Sequence, residues 1–243
     1  MVPFGVAYIQ ETTVFREFGP LAGNTMRLGY EIAPKIGNTL SRQTVDADVR
    51  YYLRVGGSGL LAVRARGFKS FGDAPDFTYY GGNSEMRGYD YLQFIGHNAF
   101  FTNAELRFPL IEAMLTPIGV LGGIRGVFFF NTGLAGFNDQ DYKYADTADR
   151  TVRPVIGFEN DPVTGLPTQV FGPPVTVTGF RLVDGRASYG VGLETFALGF
   201  PIHFDWAWRT LFNKQWEDVL FATSGGSKEF RKARFAVWIG YDF

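Results

Sequence analysis

The residues able to carry chemistry in this chain are few. Cysteine is absent, which removes a disulfide framework, a thiolate metal site and a Cys nucleophile. The histidines are His97 and His203 alone, little material for a zinc centre. His203 and Asp205 share one face of an extended strand, with Glu194 or Arg209 as neighbours, and such a pair could orient a general base. No Gly-x-Ser-x-Gly elbow accompanies it, and Ser188 and Ser224 lack a supporting context. The run Gly56-Gly57-Ser58-Gly59 lacks the Lys-Ser/Thr of a phosphate loop and reads as a turn. Asp139, Asp141, Asp146 and Asp149 could hold calcium weakly, but their spacing is not that of an EF-hand and suits a solvated loop. The expectation is therefore no catalysis, no cofactor and no metal site, with His203 and Asp205 belonging to a paired polar interior.

Bulk composition excludes further classes. Lys+Arg 23 against Asp+Glu 24 gives a net charge of −1, with none of the cationic surplus that drives nucleic-acid binding. The chain is 17% aromatic, with 25 Phe and 31 Gly, which is unlike a helical enzyme. No window is apolar enough for a transmembrane helix: the best, 109–130, is broken by Glu112, Pro117 and Arg125. Residues 1–5 lack a basic flank and an apolar core, so any export signal is expected upstream of Met1.

What must position these residues is a set of strands, because the apolar period is two. Val45, Ala47, Val49, Tyr51 and Leu53 point one way, while Asp46, Asp48, Arg50 and Arg54 point the other. The same alternation recurs around Leu28, Val63, Leu106, Phe128, Val191, Trp206 and Val237, with a weaker strand between Val6 and Phe18. That makes about nine strands of roughly 9–13 residues, long enough to cross a bilayer at a tilt. The polar face is rich in Arg with Asp or Glu and nearly free of Lys, as an enclosed interior requires and a water-facing one does not. Aromatics near strand ends (Tyr51, Trp206, Trp208, Tyr241, Phe243) suit interfacial girdles. The fold class is all-β: a transmembrane antiparallel β-barrel with apolar side chains in lipid, rather than a soluble sandwich.

Connections alternate in length. Tight turns at 56–59 and 199–201 contrast with long polar segments at 72–98, 137–185 and 213–231, the asymmetry of outer-membrane barrels. The connection at 109–123 reads as a longer turn, and 161–174, rich in Pro and Gly, as irregular loop. Nine is an odd count, so a further strand is expected in 152–178 or near Met1, in preceding sequence, or from association of copies. Residues 1–243 read as one barrel domain.

Two landmarks carry a resemblance. Gly81-Gly82-Asn83-Ser84-Glu85-Met86-Arg87-Gly88-Tyr89, in the 72–98 segment, resembles the Arg-Gly-Phe/Tyr loop signature of the BamA superfamily, the outer-membrane assembly and translocation barrels also called bacterial surface antigens. The strand Ala104-Glu105-Leu106-Arg107-Phe108-Pro109 and the run Phe128-Phe129-Phe130-Asn131-Thr132-Gly133 resemble that family's next two strands, and the chain closes on Phe243. The likeness spans about 20–243 and corresponds to the C-terminal part of a sixteen-stranded family barrel, without early strands or POTRA modules.

The resemblance implies that Met86, Arg87, Gly88 and Tyr89 form the tip of a loop folded into the lumen, with Arg87 bound to the inner wall formed by Glu105, Arg107, Asn131 and Gly133. Family members often carry Asp where this chain has Asn131, so Glu105 should bear more of the charge. Ile239, Tyr241 and Phe243 resemble the C-terminal signal that the assembly machinery captures. Where that signal usually has Gly, five residues before the terminal aromatic, this chain has Trp238. Implied partners are the outer-membrane bilayer, unfolded outer-membrane proteins and the assembly machinery, with no nucleic acid. The function implied is non-enzymatic insertion, assembly or translocation. The alternative is a passive pore or an anchor for an upstream domain.

Overall fold

The computed structural model describes residues 1–16, 19–116, 119–197 and 200–241. Nine long strands follow one another in a single antiparallel meander: β1 (Phe4–Glu11), β2 (Gly19–Ala33), β3 (Arg42–Val55), β4 (Gly59–Phe71), β5 (Asn98–Thr116), β6 (Gly119–Gly136), β7 (Arg186–Ala197), β8 (Phe200–Thr210) and β9 (Arg234–Ile239). A short strand, Val14–Arg16, folds back on the start of β2. All nine expected strands are present, because each carries the period-two pattern that only an extended chain can sort onto two faces.

The register carries that sorting around the sheet. Leu61, Leu106, Phe128, Val191, Trp206 and Phe235 lie side by side on successive strands from β4 to β9. One residue along, Ala62, Glu105, Phe129, Gly190, Ala207 and Arg234 make the matching row on the opposite face. The first row looks outward: Phe128 and Phe235 are more than half exposed. The face of the second row holds charge in burial, with Glu105, Arg107 and Glu194 almost fully enclosed. Water-soluble proteins bury the first kind of residue and expose the second. The inversion fits a chain whose outer solvent is hydrocarbon. No helix among the described residues is long and apolar enough to cross a membrane.

On the inner face of β2–β4, charges neutralise one another. Asp48 accepts from Arg64 (Nη2, 2.8 Å) and Arg50 (Nη2, 2.9 Å), Asp46 from Arg66 (3.2 Å) and Glu31 from Arg42 (2.5 Å). The Arg64, Arg66 and Arg42 pairs bridge adjacent strands, so those guanidinium forks tie two strands while cancelling charge in a confined space, and Arg50 meets Asp48 along its own strand.

Tight connections lie at one end of the sheet and the segments 72–97, 137–185 and 211–233 at the other. Three expectations are corrected here. Residues 109–123 are not a long turn: β5 and β6 stay paired to Thr116 and Gly119, with a register shift between Pro109 and Ile111. Proline cannot donate to a ladder, so a bulge absorbs it. Alternation also fails there, in Leu110-Ile111, which hid the pairing from a period count. The second correction concerns 161–174, which is the tip of a hairpin arm rather than irregular loop. Its rungs are Ala145–Asp146 with Arg181–Leu182, Arg150–Val152 with Val175–Val177, and Val155–Asn160 with Pro167–Phe171. The further barrel strand expected in 152–178 is not found there: the strands of that segment pair within the arm, in sheets of their own, and do not extend the meander. Asp161 closes its tip by accepting from the Val163 and Thr164 amides, both 2.8 Å.

Third, 213–231 is helical: α1 (Lys214–Leu220) and α2 (Gly226–Phe230). Asn213 caps α1 by accepting from the Trp216 amide. Both helices are too short for a helical period to show in the sequence. They seat the arm: Val177, Leu182, Leu211, Trp216 and Phe230 form one buried cluster, and the Trp216 indole donates to the Leu182 carbonyl (2.8 Å). Glu217, fully buried, accepts from the Leu211 amide (2.7 Å) and from Arg231.

At the arm's base the Lys143 ammonium (2.8 Å), with the Ala148 and Thr147 amides, holds the Asp146 carboxyl down at about 2 from an ordinary 3.8. A depressed folded value means these bonds are intact above 3.8 and lost as pH falls through about 2. The Ala148 amide shift should therefore titrate with a midpoint at about 2, moving up towards 3.8 in Lys143→Ala.

Candidate functional site in the lumen

Between β4 and β5 the chain turns inward. Thr78–Tyr80 pairs with Phe94–Gly96 as a short hairpin, and the loop between them enters the lumen. Gly81 and Gly82 adopt φ of 135° and 86°, a left-handed pair that L side chains resist. The Met86 amide bonds back to the Gly82 carbonyl (2.9 Å), closing a tight turn. Tyr80 stacks on Phe94 (4.8 Å), Tyr89 meets Phe94 edge-on (5.2 Å), and Met86 is fully buried among these rings and Phe101. This apolar wedge fixes the loop before any charge is considered.

The wedge delivers Arg87 to the wall. It is 3% exposed, and its guanidinium bridges two strands on opposite flanks of β6–β7: Nη1 donates to Glu105 Oε1 on β5, and Nε to Asp205 Oδ2 on β8 at 3.0 Å. Its carbon lies 4.6 Å from the centre of the Phe129 ring, on the intervening β6. Glu105, fully buried, is shared with Arg107, whose Nε donates to Oε2 at 2.9 Å. Asp205 also accepts the Trp238 indole from β9 (2.7 Å). One loop residue thus connects β5, β6 and β8, and through Asp205 reaches β9.

The middle of β7's inner face, Gly190 and Gly192, is bare, and the site depends on that. A Cβ at Gly190 would strike the Phe129 ring, and one at Gly192 would overlap Asp205 Oδ1. Gly192→Val should push Asp205 off Arg87 and lower the unfolding midpoint by about 1–3 kcal/mol of stability. Gly67→Val, on the outer face with nothing within 4 Å of its Cβ, should leave the midpoint unchanged. Denaturant titration in micelles compares them.

The remaining expected residues fall around this centre. Gly88 (φ 83°) brings the backbone against β8, where an added Cβ would lie 3.0 Å from the Ala207 Cβ. Arg234 on β9 holds the Gly88 carbonyl (3.3 Å) and the Asp90 carboxylate (2.9 Å). The Tyr89 hydroxyl donates to the Ala187 carbonyl (3.2 Å), and burial pushes both it and the Tyr80 hydroxyl up. Gly133 is the floor on which Tyr80 rests, its Cβ position 2.7 Å from the Tyr80 oxygen.

Asn131 sits away from Arg87's bonds. It accepts from Asn103 Nδ2 (2.8 Å) and donates to Ser188 Oγ (3.2 Å), while Asn103 also holds the Glu85 carbonyl. The second carboxylate for Arg87 is Asp205, which the sequence reading placed in the lumen network without linking it to the loop. His203 stacks on Trp238 (3.7 Å, 5°) and its Nε2 meets the Gly240 carbonyl (2.8 Å). Ile239 and Tyr241 are exposed, and Phe243 lies outside the described residues.

A comparison with family models now has a site to attach to: the Omp85 superfamily domain matches residues 13–243. The chain belongs to the Omp85 superfamily. No curated protein matches it. The Omp85 relationship covers nearly the whole length and takes in the meander from β2 onward. The superfamily is one of outer-membrane β-barrels that serve protein assembly and translocation, which accounts for the apolar outer face and the paired charges within.

Proposed function

We propose that this Omp85 protein acts without catalysis in the insertion and assembly, or translocation, of outer-membrane proteins, with the unfolded substrate and the surrounding bilayer as its partners. The observation that carries the reading is the pair of sheet edges. Among the described residues, β1 is paired with β2 alone and β9 with β8 alone. With nine strands, both edges run from the long-loop end to the tight-turn end. An incoming strand that runs the other way, out from the tight-turn side, can therefore pair antiparallel with either edge. Exposed edges are a hazard that proteins normally cover, and here they offer a template. The lumen loop braces the C-terminal side of the wall: Arg87 holds β5 and β8 together and Asp205 reaches Trp238 on β9, so opening concentrates on the β1 side of the seam.

The test is reconstitution in liposomes with an unfolded reporter barrel. Faster acquisition of protease-resistant reporter than in empty liposomes is expected. Ion conductance without accelerated insertion would replace this reading with a passive pore.

A further inference from the structure

The connection between β8 and β9 encloses a cavity of about 430 Å³ at the long-loop end, lined by Arg209, Lys232 and Arg234 with Phe221, Phe230 and Glu229. Its charge is unbalanced. Glu229, the one carboxylate in that lining, pairs with Lys232 at the exposed rim (3.5 Å). Arg234 is turned towards Asp90 and the Gly88 carbonyl. Arg209 makes no ion pair among the described residues: its Nε donates to the Phe230 carbonyl (3.1 Å), and its carbon lies 4.8 Å from the Phe230 ring. Elsewhere on the inner wall, Arg64, Arg66 and Arg125 meet carboxylates of neighbouring strands. A guanidinium that lines a cavity and stacks on a ring, beside a second guanidinium and an ammonium, suits a doubly charged oxyanion.

We propose that this cavity binds a phosphate group, with Arg209 as the principal donor, Arg234 beside it and Lys232 at the rim. The phosphate can belong to a lipid headgroup, since basic pockets at the bilayer surface recognise these, or be free in solution. The site lies beside the Arg87 centre, sharing Arg234 with it, and does not rest on the assembly role.

The full chain, folded in phosphate-free maltoside micelles, is titrated with inorganic phosphate by calorimetry. A dissociation constant of about 1 mM or tighter is expected, weakened about tenfold in Arg209→Gln and about threefold in Lys232→Gln. Lys232 is exposed, so its variant should fold like the parent, and circular dichroism checks both. Micelles doped with phosphatidic acid or with diacylglycerol identify the source: phosphatidic acid that competes with phosphate marks a headgroup site, and one that does not marks a site for the free ion. Absence of binding by either phosphate probe up to about 10 mM overturns the proposal. So does affinity unchanged in Lys232→Gln or in a folded Arg209→Gln.

Discussion

Arg87→Ala is expected to destabilise the folded protein by about 3–5 kcal/mol, the usual cost of removing one partner from a buried ion pair. Glu105 and Asp205 stay behind, both almost completely enclosed, with Arg107 still on Glu105 and the Trp238 indole still on Asp205. Two carboxylates on separate strands then lose the cation between them. Guanidinium chloride titration in vesicles, followed by tryptophan fluorescence, reads the midpoint. Arg87→Lys should lie between parent and alanine, because an ammonium keeps the charge but cannot reach both acceptors as a fork. The same variant should insert the reporter barrel more slowly in liposomes. A parent-like midpoint would mean that the loop's aromatic wedge alone holds it in the lumen.

The second large effect is expected at Glu105. Glu105→Gln preserves size and an acceptor oxygen but removes the charge shared by Arg87 and Arg107, and should cost about 2–4 kcal/mol. Asp205→Asn should cost less, since asparagine keeps an acceptor oxygen for the Arg87 Nε and the Trp238 indole while Glu105 answers to two guanidinium groups. The order Glu105→Gln worse than Asp205→Asn is the specific outcome, measured by the same titration. The reverse order would place the main charge of the centre on β8. Combining Arg87→Ala with Glu105→Gln should be less than additive, because residues in one network couple.

Much of this was readable before any coordinates. The strands were, because period two leaves no other way to separate Val49 from Asp48, or Leu106 from Glu105. Glu105 as an acceptor for Arg87 followed from the same parity, once the family resemblance had singled out the loop. Asp205 was placed correctly on the inner face, but its bond to Arg87 spans 118 positions, and alternation says nothing about which inward residues meet across a lumen. Trp238 was read as a departure from a terminal signal. It turns out to face inward, where its indole holds Asp205 and its ring stacks on His203. The arm and the two helices were hidden for local reasons. Pro162 and the nearby glycines spell loop, although the rungs on either side pair, and a seven-residue helix capped by Asn213 offers barely two turns of pattern.

The most direct test of the account asks which solvent meets each face of the sheet. The chain has no cysteine, so single labels can be placed at Val49→Cys and Arg50→Cys, neighbours on β3 that point to opposite sides. In bilayers of acyl-chain-brominated lipid, the fluorophore at 49 should be strongly quenched and that at 50 weakly, with water-soluble iodide giving the opposite order. Equal quenching at both positions, or stronger bromine quenching at 50, would contradict the placement of apolar side chains in lipid and paired charges within.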